Sequence, residues 1–422
     1  GDLLTKTNKY ENSGTQFSDG KTTMSIHGGC LKYEEIFFGI TYCKERISGQ
    51  LTNNGRITAN DSLVINTNQI NNTQSGSIVG NADATFNSSR LINSGIILNN
   101  SLSIDAYEIT NSGQIIGYED IVIESNEYTQ TGTLSAGKNL AQTHSSFNQS
   151  GTTNVGEKYT LSADQTTHSG LSIANNIQYS GDTFTNSGNF IAKEALGMNL
   201  DTLNNDANYI QSNGDISITA NQVINQSNIQ AGKKLTILSE IVSNQSDAQL
   251  QANESVLISN LKNKTNKIDN VGKIVSFDTV KLNALQLNNA SNGVIQGKNS
   301  ITVEADTLIN NSVIYASNGN IDVTVDSLEN NANSKLIGAN QLNVTANSIM
   351  NAGTIQSNDN MSLIARTETF GGMINNSGHI LTGGDLLTKT NKYENSGTQF
   401  SDGKTTMSIH GGCLKYEEIF FG

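Results

Sequence analysis

"LINSGIILNNSLSIDAYEITNSGQIIGYEDIVIESNEYTQTG", residues Leu91–Gly132, states one phrase three times. Asn93-Ser94-Gly95 returns as Asn111-Ser112-Gly113, then in looser form as Gln130-Thr131-Gly132. Between the corners the apolar residues alternate with polar ones: Leu102, Ile104, Ala106, then Ile121 and Ile123. Strict alternation marks strands with one face buried. Here the strands recur once per corner.

The corner glycine serves as a marker along the chain. It runs Gly55, Gly76, Gly95, Gly113, Gly132, Gly151, Gly170 and Gly188, in steps of 18 to 21 residues. It then degrades, with Ala207, Ser227 and Asp247 as apparent stand-ins, and recovers at Gly272, Gly293, Gly353, Gly378 and Gly397. The 41-residue interval from Gly14 to Gly55 fits two turns, one of them atypical. A unit of about 20 residues holding two or three short strands has no partner for its apolar face. Stacked on copies of itself, it makes a continuous core. Helical repeats need 3.6-residue periodicity, and leucine-rich repeats need an L-x-x-L-x-L-x-x-N frame; neither is found. The expected fold is all-β: a right-handed parallel β-helix, or β-solenoid, of about 20 coils with about 19–20 residues per coil.

Composition supports a long, thin core. Of 422 residues 35% are hydrophobic, 6% are aromatic and none is Trp, which is poor for a thick globular interior. Charged residues are only 15%, and Ile, Leu and Val recur regularly, which argues against disorder. Proline is absent, as expected of a chain made of ladder strands and tight corners. The net charge of −13 carries no basic stripe for nucleic acid and no polybasic segment for anionic lipid. No run approaches the ~18 apolar residues of a membrane-spanning helix. Residue 1 falls in mid-pattern without a signal peptide, so the chain reads as the interior of something longer.

Two residues before the marker glycine stands a polar column: Asn53, Gln74, Asn93, Asn111, Gln130, Gln149, His168, Asn186, Asn351, Asn376 and Asn395. At the strand spacing of about 4.8 Å, stacked amides can donate and accept along the axis. The column is expected to be a structural ladder rather than a ligand site. Interior positions such as Ile104, Ile123, Leu140, Ile218, Val303 and Val344 are expected to carry stability.

A larger repeat lies over the small one. Residues 1–39 recur letter for letter as 384–422. Identity over that length implies recent duplication, an array kept uniform, or deliberate design, and suggests tandem 383-residue blocks. The chain is thus expected to be one elongated β-helix over 1–422, with an atypical turn at 28–50 that carries Cys and aromatic residues.

Catalytic constellations were sought because β-helices also host polysaccharide lyases. Asp105 and Glu124 lie 19 residues apart, but the next equivalents are Thr143 and Ser162, which is the pattern of a solvated face. Asp and Glu are otherwise scattered, and Arg is rare. The histidines, His27, His144, His168, His379 and His410, form no recognisable nucleophile frame. Gly-rich phosphate loops and calcium nonapeptides are missing. No enzyme, no catalytic residue, no metal site and no cofactor is expected.

"LINSGIILNNSLSIDA", "ITNSGQIIGYEDIVIES", "LTNNGRITANDSLVINT" and "IMNAGTIQSNDNMSLIA" resemble the hemagglutinin repeats of filamentous-hemagglutinin-like exoproteins. The resemblance covers nearly the whole chain and is weakest around 28–50 and 247–290. It implies a right-handed β-helix exported to the bacterial cell surface by an outer-membrane partner barrel (two-partner secretion). It also implies a stalk that holds an adhesive or effector tip, with receptor or glycan contacts made by regions outside this segment. Two alternatives stay open. One is a fibre protein of tandem blocks that self-associates end to end; the other is a solenoid that itself binds glycans or a receptor.

In an exported protein Cys30 and Cys43 suggest a disulfide, with free thiols or a metal site as the other readings. Cys413 is the copy of Cys30. Between the first two lie Tyr33, Phe37, Phe38 and Tyr42, read either as an interaction patch on a protruding hairpin or as a coil whose interior uses rings. The plainer reading is the coil.

Overall fold

The structure, a computed structural model, describes residues 1–35, 41–260, 265–365 and 371–410, with the backbone alone for 31–35 and 41–47. It falls into two compact units, Gly1–Leu200 and Asp201–Gly422. Among the described residues there is no helix. The coils number about 20, and within each unit they are laid one on the next as parallel strands. The β-solenoid expected from the period is the observed fold.

One step of the stack shows the rule. The bent strand Leu102–Asn111 and the short strand Gln114–Gly117 make one coil. Ile121–Glu124, Glu127–Gln130 and Thr133–Ala136 make the next. Their registers are Leu102 on Ile121, Ile109 on Tyr128 and Ile115 on Leu134. Like side chains therefore lie over like, and the alternating residues that point inward make one core. Ile104, Ile123, Leu140, Ile218, Val303 and Val344 are all buried within it. Fully burying such a side chain contributes about 1.5–3 kcal/mol, so stability is spread over every coil.

The corners stack as closely as the strands. Gly132 N donates to Asn111 O at 3.0 Å, and Thr133 N donates to Gly113 O at 2.8 Å. A Cβ added to Gly113 would lie 2.1 Å from the carbonyl oxygen of Gly95. The glycine is thus required by the approach of the coil below. The three non-glycine residues with positive φ, Asn208, Asp247 and Asn333, lie at corners, where Asn and Asp tolerate the left-handed region. The backbone contact that marks the glycine place is made by Asn208 and Ala248: Asn228 N donates to Asn208 O and Lys273 N to Ala248 O. The stand-ins expected at Ala207 and Asp247 are each displaced by one residue. Ser227 is where the spacing puts it, accepting from Gln249 N at 2.8 Å.

The segment 28–50 is not a coil. Gly29–Glu35 and Thr41–Ile47 pair antiparallel as a separate two-stranded sheet. Residues on either side of it stack directly, Lys9 on Gln50, Asn12 on Asn53 and Thr15 on Arg56. The interval from Gly14 to Gly55 is therefore one coil with a hairpin inserted at its corner. Its 41 residues mimic two periods by coincidence of length. The identical stretches elsewhere fold alike: Leu3–Thr7, Lys9–Asn12, Thr15–Ser18 and Thr22–Ile26 correspond to Leu386–Thr390, Lys392–Asn395, Thr398–Ser401 and Thr405–Ile409.

Candidate functional site

The polar column inside the coils is the most regular chemical feature of the molecule. In the first unit Asn12, Asn53, Asn72, Asn93 and Asn111 each donate from Nδ2 to the side-chain oxygen of the next member, ending on Gln130. The distances are 2.8 to 3.0 Å. In the second unit the run is Asn205, Asn225, Asn244, Asn270, Asn289, Asn310, Asn330, Asn351, Asn376 and Asn395. The remaining amide hydrogen has a backbone acceptor: Asn93 Nδ2 also donates to Gln114 O at 3.0 Å, and Asn310 Nδ2 to Lys335 O at 3.1 Å. Burying an amide is costly unless it is paired, and here each rung is paired by its neighbours.

Gln74 is not a rung. It is exposed on a two-residue turn closed by Gly76 N donating to Thr73 O at 2.8 Å, and Asn72 takes the place. The same kind of turn separates Asn289 from Gly293, and Asn330 from Ser334, which hides those rungs from a fixed two-residue spacing. Asn270 stands two residues before Gly272 and keeps the fixed spacing; the other described rungs from Asn205 to Asn330 were legible only by the N-x-S/A corners that accompany them.

Between the two runs the interior changes character. Gln149 donates to Leu171 O at 3.0 Å, and His168 occupies the column between Ser172 Oγ at 3.2 Å and Asn186 Oδ1 at 2.8 Å. Aliphatic filling gives way to rings. Tyr128, His144 and Phe147 have centroids 5.2 Å apart, and His168 lies against Phe184 and Phe190. Burial lowers His144 to about 3 and His168 to about 4, because a charged imidazole would lose its hydration there. Burial raises Tyr128 and Tyr159, and pushes Tyr179 up to about 12.

Ser125 Oγ lies 2.7 Å from His144 Nδ1, the shorter of the two Ser–His contacts in this interior. The other imidazole nitrogen faces the core without a partner, so no carboxylate orients the ring as a hydrolytic base requires. Asp105 and Glu124 are in register, followed by Thr143 and Ser162, all on the outer side of the strand. Among the described residues no group of three or more His, Cys, Asp or Glu side chains is placed to hold a metal ion. Cys30 is disulfide-bonded. The side chains of Tyr33, Phe37, Phe38, Tyr42, Cys43 and Cys413 lie outside the described residues.

The outer face of the second unit carries two shallow grooves that share Gln356 and Asn358. One, of about 480 Å³, is lined by Tyr315, Ile337 and Lys335, and the other, of about 280 Å³, by Leu381, Phe400 and Asp402. These follow one outward line through the register: Tyr315 on Ile337, then Gln356, Leu381 and Phe400. Neither groove brings two carboxylates together.

Comparison with curated proteins and with solved structures finds no match. A family model described as haemagglutinin repeat matches residues 46–115, 117–190, 172–284, 249–324, 316–368 and 367–406. The matched segments cover most of the chain and follow the stacked coils. Parallel coils, the recurring Asn-x-Gly corner and these matches together place the chain in the haemagglutinin-repeat family, an adhesin-type structural fold and not an enzyme family.

Proposed function

We propose that this chain is stalk material of a secreted, surface-displayed adhesin-type exoprotein, exported through an outer-membrane barrel and holding an adhesive or effector tip away from the cell. The observation that carries the reading is the ladder. Its buried, mutually paired amides fix the register of coil upon coil and leave little inside that chemistry could use. Membership of the haemagglutinin-repeat family supports export and display. The test is protease shaving of intact cells that express the gene together with an outer-membrane partner transporter. Release of fragments from the chain supports the reading; full protection with an intact outer membrane overturns it.

A second reading, in which the solenoid itself binds a glycan, draws on the line from Tyr315 to Phe400. The exposed ring of Phe400 and the half-buried ring of Tyr315, beside amides, suit sugar stacking and hydroxyl pairing. A glycan array probed with the wild type and with Phe400→Ala separates it from a passive stalk.

A further inference from the structure

Among the described residues no Asp, Glu, Lys or Arg is buried, and the buried polar positions are Asn, Gln, Ser and Thr with two exceptions, His144 and His168. These imidazoles are the buried groups there that change charge between acid and neutral pH. They occupy consecutive coils: His144 is in register with Ala163, and Gln149 with His168. The stretch that holds them is also where the amide ladder is interrupted and where Gln142 Nε2 and His144 Nε2 lie buried without a partner. Elsewhere the buried apolar residues are aliphatic but for Phe86 and Tyr128, and the rungs are amides that do not titrate.

We propose that the coils of residues 139–190 form an acid-opened joint, which comes apart locally when protons are taken up by His144 and His168 while the rest of the solenoid stays closed. A buried imidazolium needs a counter-charge, and neither ring faces one among the described residues. Around His144 are Ser125, Tyr128, Phe147 and, in the coil above, Ala163. Around His168 are Gln149, Ser172, Asn186, Phe184 and Phe190. The titratable neighbours Tyr128, Tyr159 and Tyr179 remain neutral through the acid range, because burial raises all three. The carboxylates of the stretch, Glu157, Asp164 and Asp182, and those of the coil before it, Glu124 and Glu127, are exposed on the outside. The open state, in which the rings meet water, therefore takes the protons.

The direction follows from linkage. The closed-state values, about 3 for His144 and about 4 for His168, lie below the open-state value near 6.5. Closure is at full strength above pH ~6.5 and weakens as pH falls toward the closed-state values. At pH 4.5 each ring raises the opening equilibrium roughly 100-fold, and the two together by on the order of 10³ to 10⁴.

Hydrogen exchange of the full chain at pH 7.5 and pH 4.5, corrected for intrinsic rate, tests this. Protection across 139–190 is expected to drop at least about 100-fold at pH 4.5, with that across 279–351 unchanged. The double variant His144→Leu, His168→Asn, which installs a non-titrating side chain and a regular rung, should show no such drop. Equal protection at both pH values, a loss spread evenly along the chain, or a loss that persists in the variant each overturns the joint. If the variant fails to fold, proton NMR of the wild-type imidazoles decides: two rings that titrate below pH 5 support it, and none below pH 5 overturns it.

Discussion

Asn93 Nδ2 donates to Asn111 Oδ1 across 2.8 Å, although 18 residues of chain separate them. Both side chains are fully buried, and each is held again by a backbone carbonyl of the following corner. Removing one of them strands a donor on one neighbour and an acceptor on the other.

Asn93→Ala should therefore destabilise the chain by about 2–4 kcal/mol, since two buried amide groups lose their partners. Asn87→Ala, on the exposed Asn66–Asn87 pair, should cost less than about 0.5 kcal/mol. Urea unfolding of both variants measures the difference. Equal effects would show that the buried ladder is no more than decoration.

Gly113→Ala places a methyl 2.1 Å from the Gly95 carbonyl oxygen and close to the Ser94–Gly95 peptide, backbone that cannot swing aside as a side chain would. A loss of at least about 3 kcal/mol is expected. Gly14, whose added Cβ would meet nothing within 4 Å, should accept alanine with little change. Melting temperatures of the two variants make the comparison.

Ile123 and Val122 are neighbours on one strand, the first buried and the second 40% exposed. Ile123→Asp should cost more than about 4 kcal/mol by putting a charge in the core, and Val122→Asp no more than about 1. Circular dichroism during denaturation reads both.

Deleting residues 27–48 should leave the coil intact. Gly49 already stacks on the single-residue corner of the next coil, with Gln69 N donating to its carbonyl at 3.0 Å and its own N–H to Asn68 Oδ1 at 3.1 Å. The deletion joins Ile26 to Gly49 as Thr67 joins Asn68, and shortens Gly14–Gly55 from 41 to 19 residues, within the 18 to 21 of the coils that follow. Unchanged far-ultraviolet dichroism of the coils and a melting point within a few degrees are expected; collapse of the fold would show that the hairpin holds the coil together.

Period, strand alternation and interior aliphatics were legible in the sequence because each coil obeys the same two-residue periodicity, so that Ile104 announces Ile123. Most of the first run of the ladder was legible for the same reason. Gln74 misled because a two-residue turn slips the amide out of its usual distance from the glycine without disturbing the strand register. The hairpin was hidden by its length, which happens to equal about one coil. Gln142 and His144 were overlooked although the signal was present: they share the inward phase of Leu140, and polar residues in that phase are interior all the same. The reason for the corner glycine lay beyond the reach of local sequence, since the atom that forbids a side chain belongs to another coil.

Every asparagine rung within a unit points the same way, amide hydrogens toward the later coil and oxygen toward the earlier. A coil thus displays donors to its successor and acceptors to its predecessor, so any closed turn is a template for either neighbour. A run of rungs has a polarity along the stack, and a coil turned end for end would meet like groups with like.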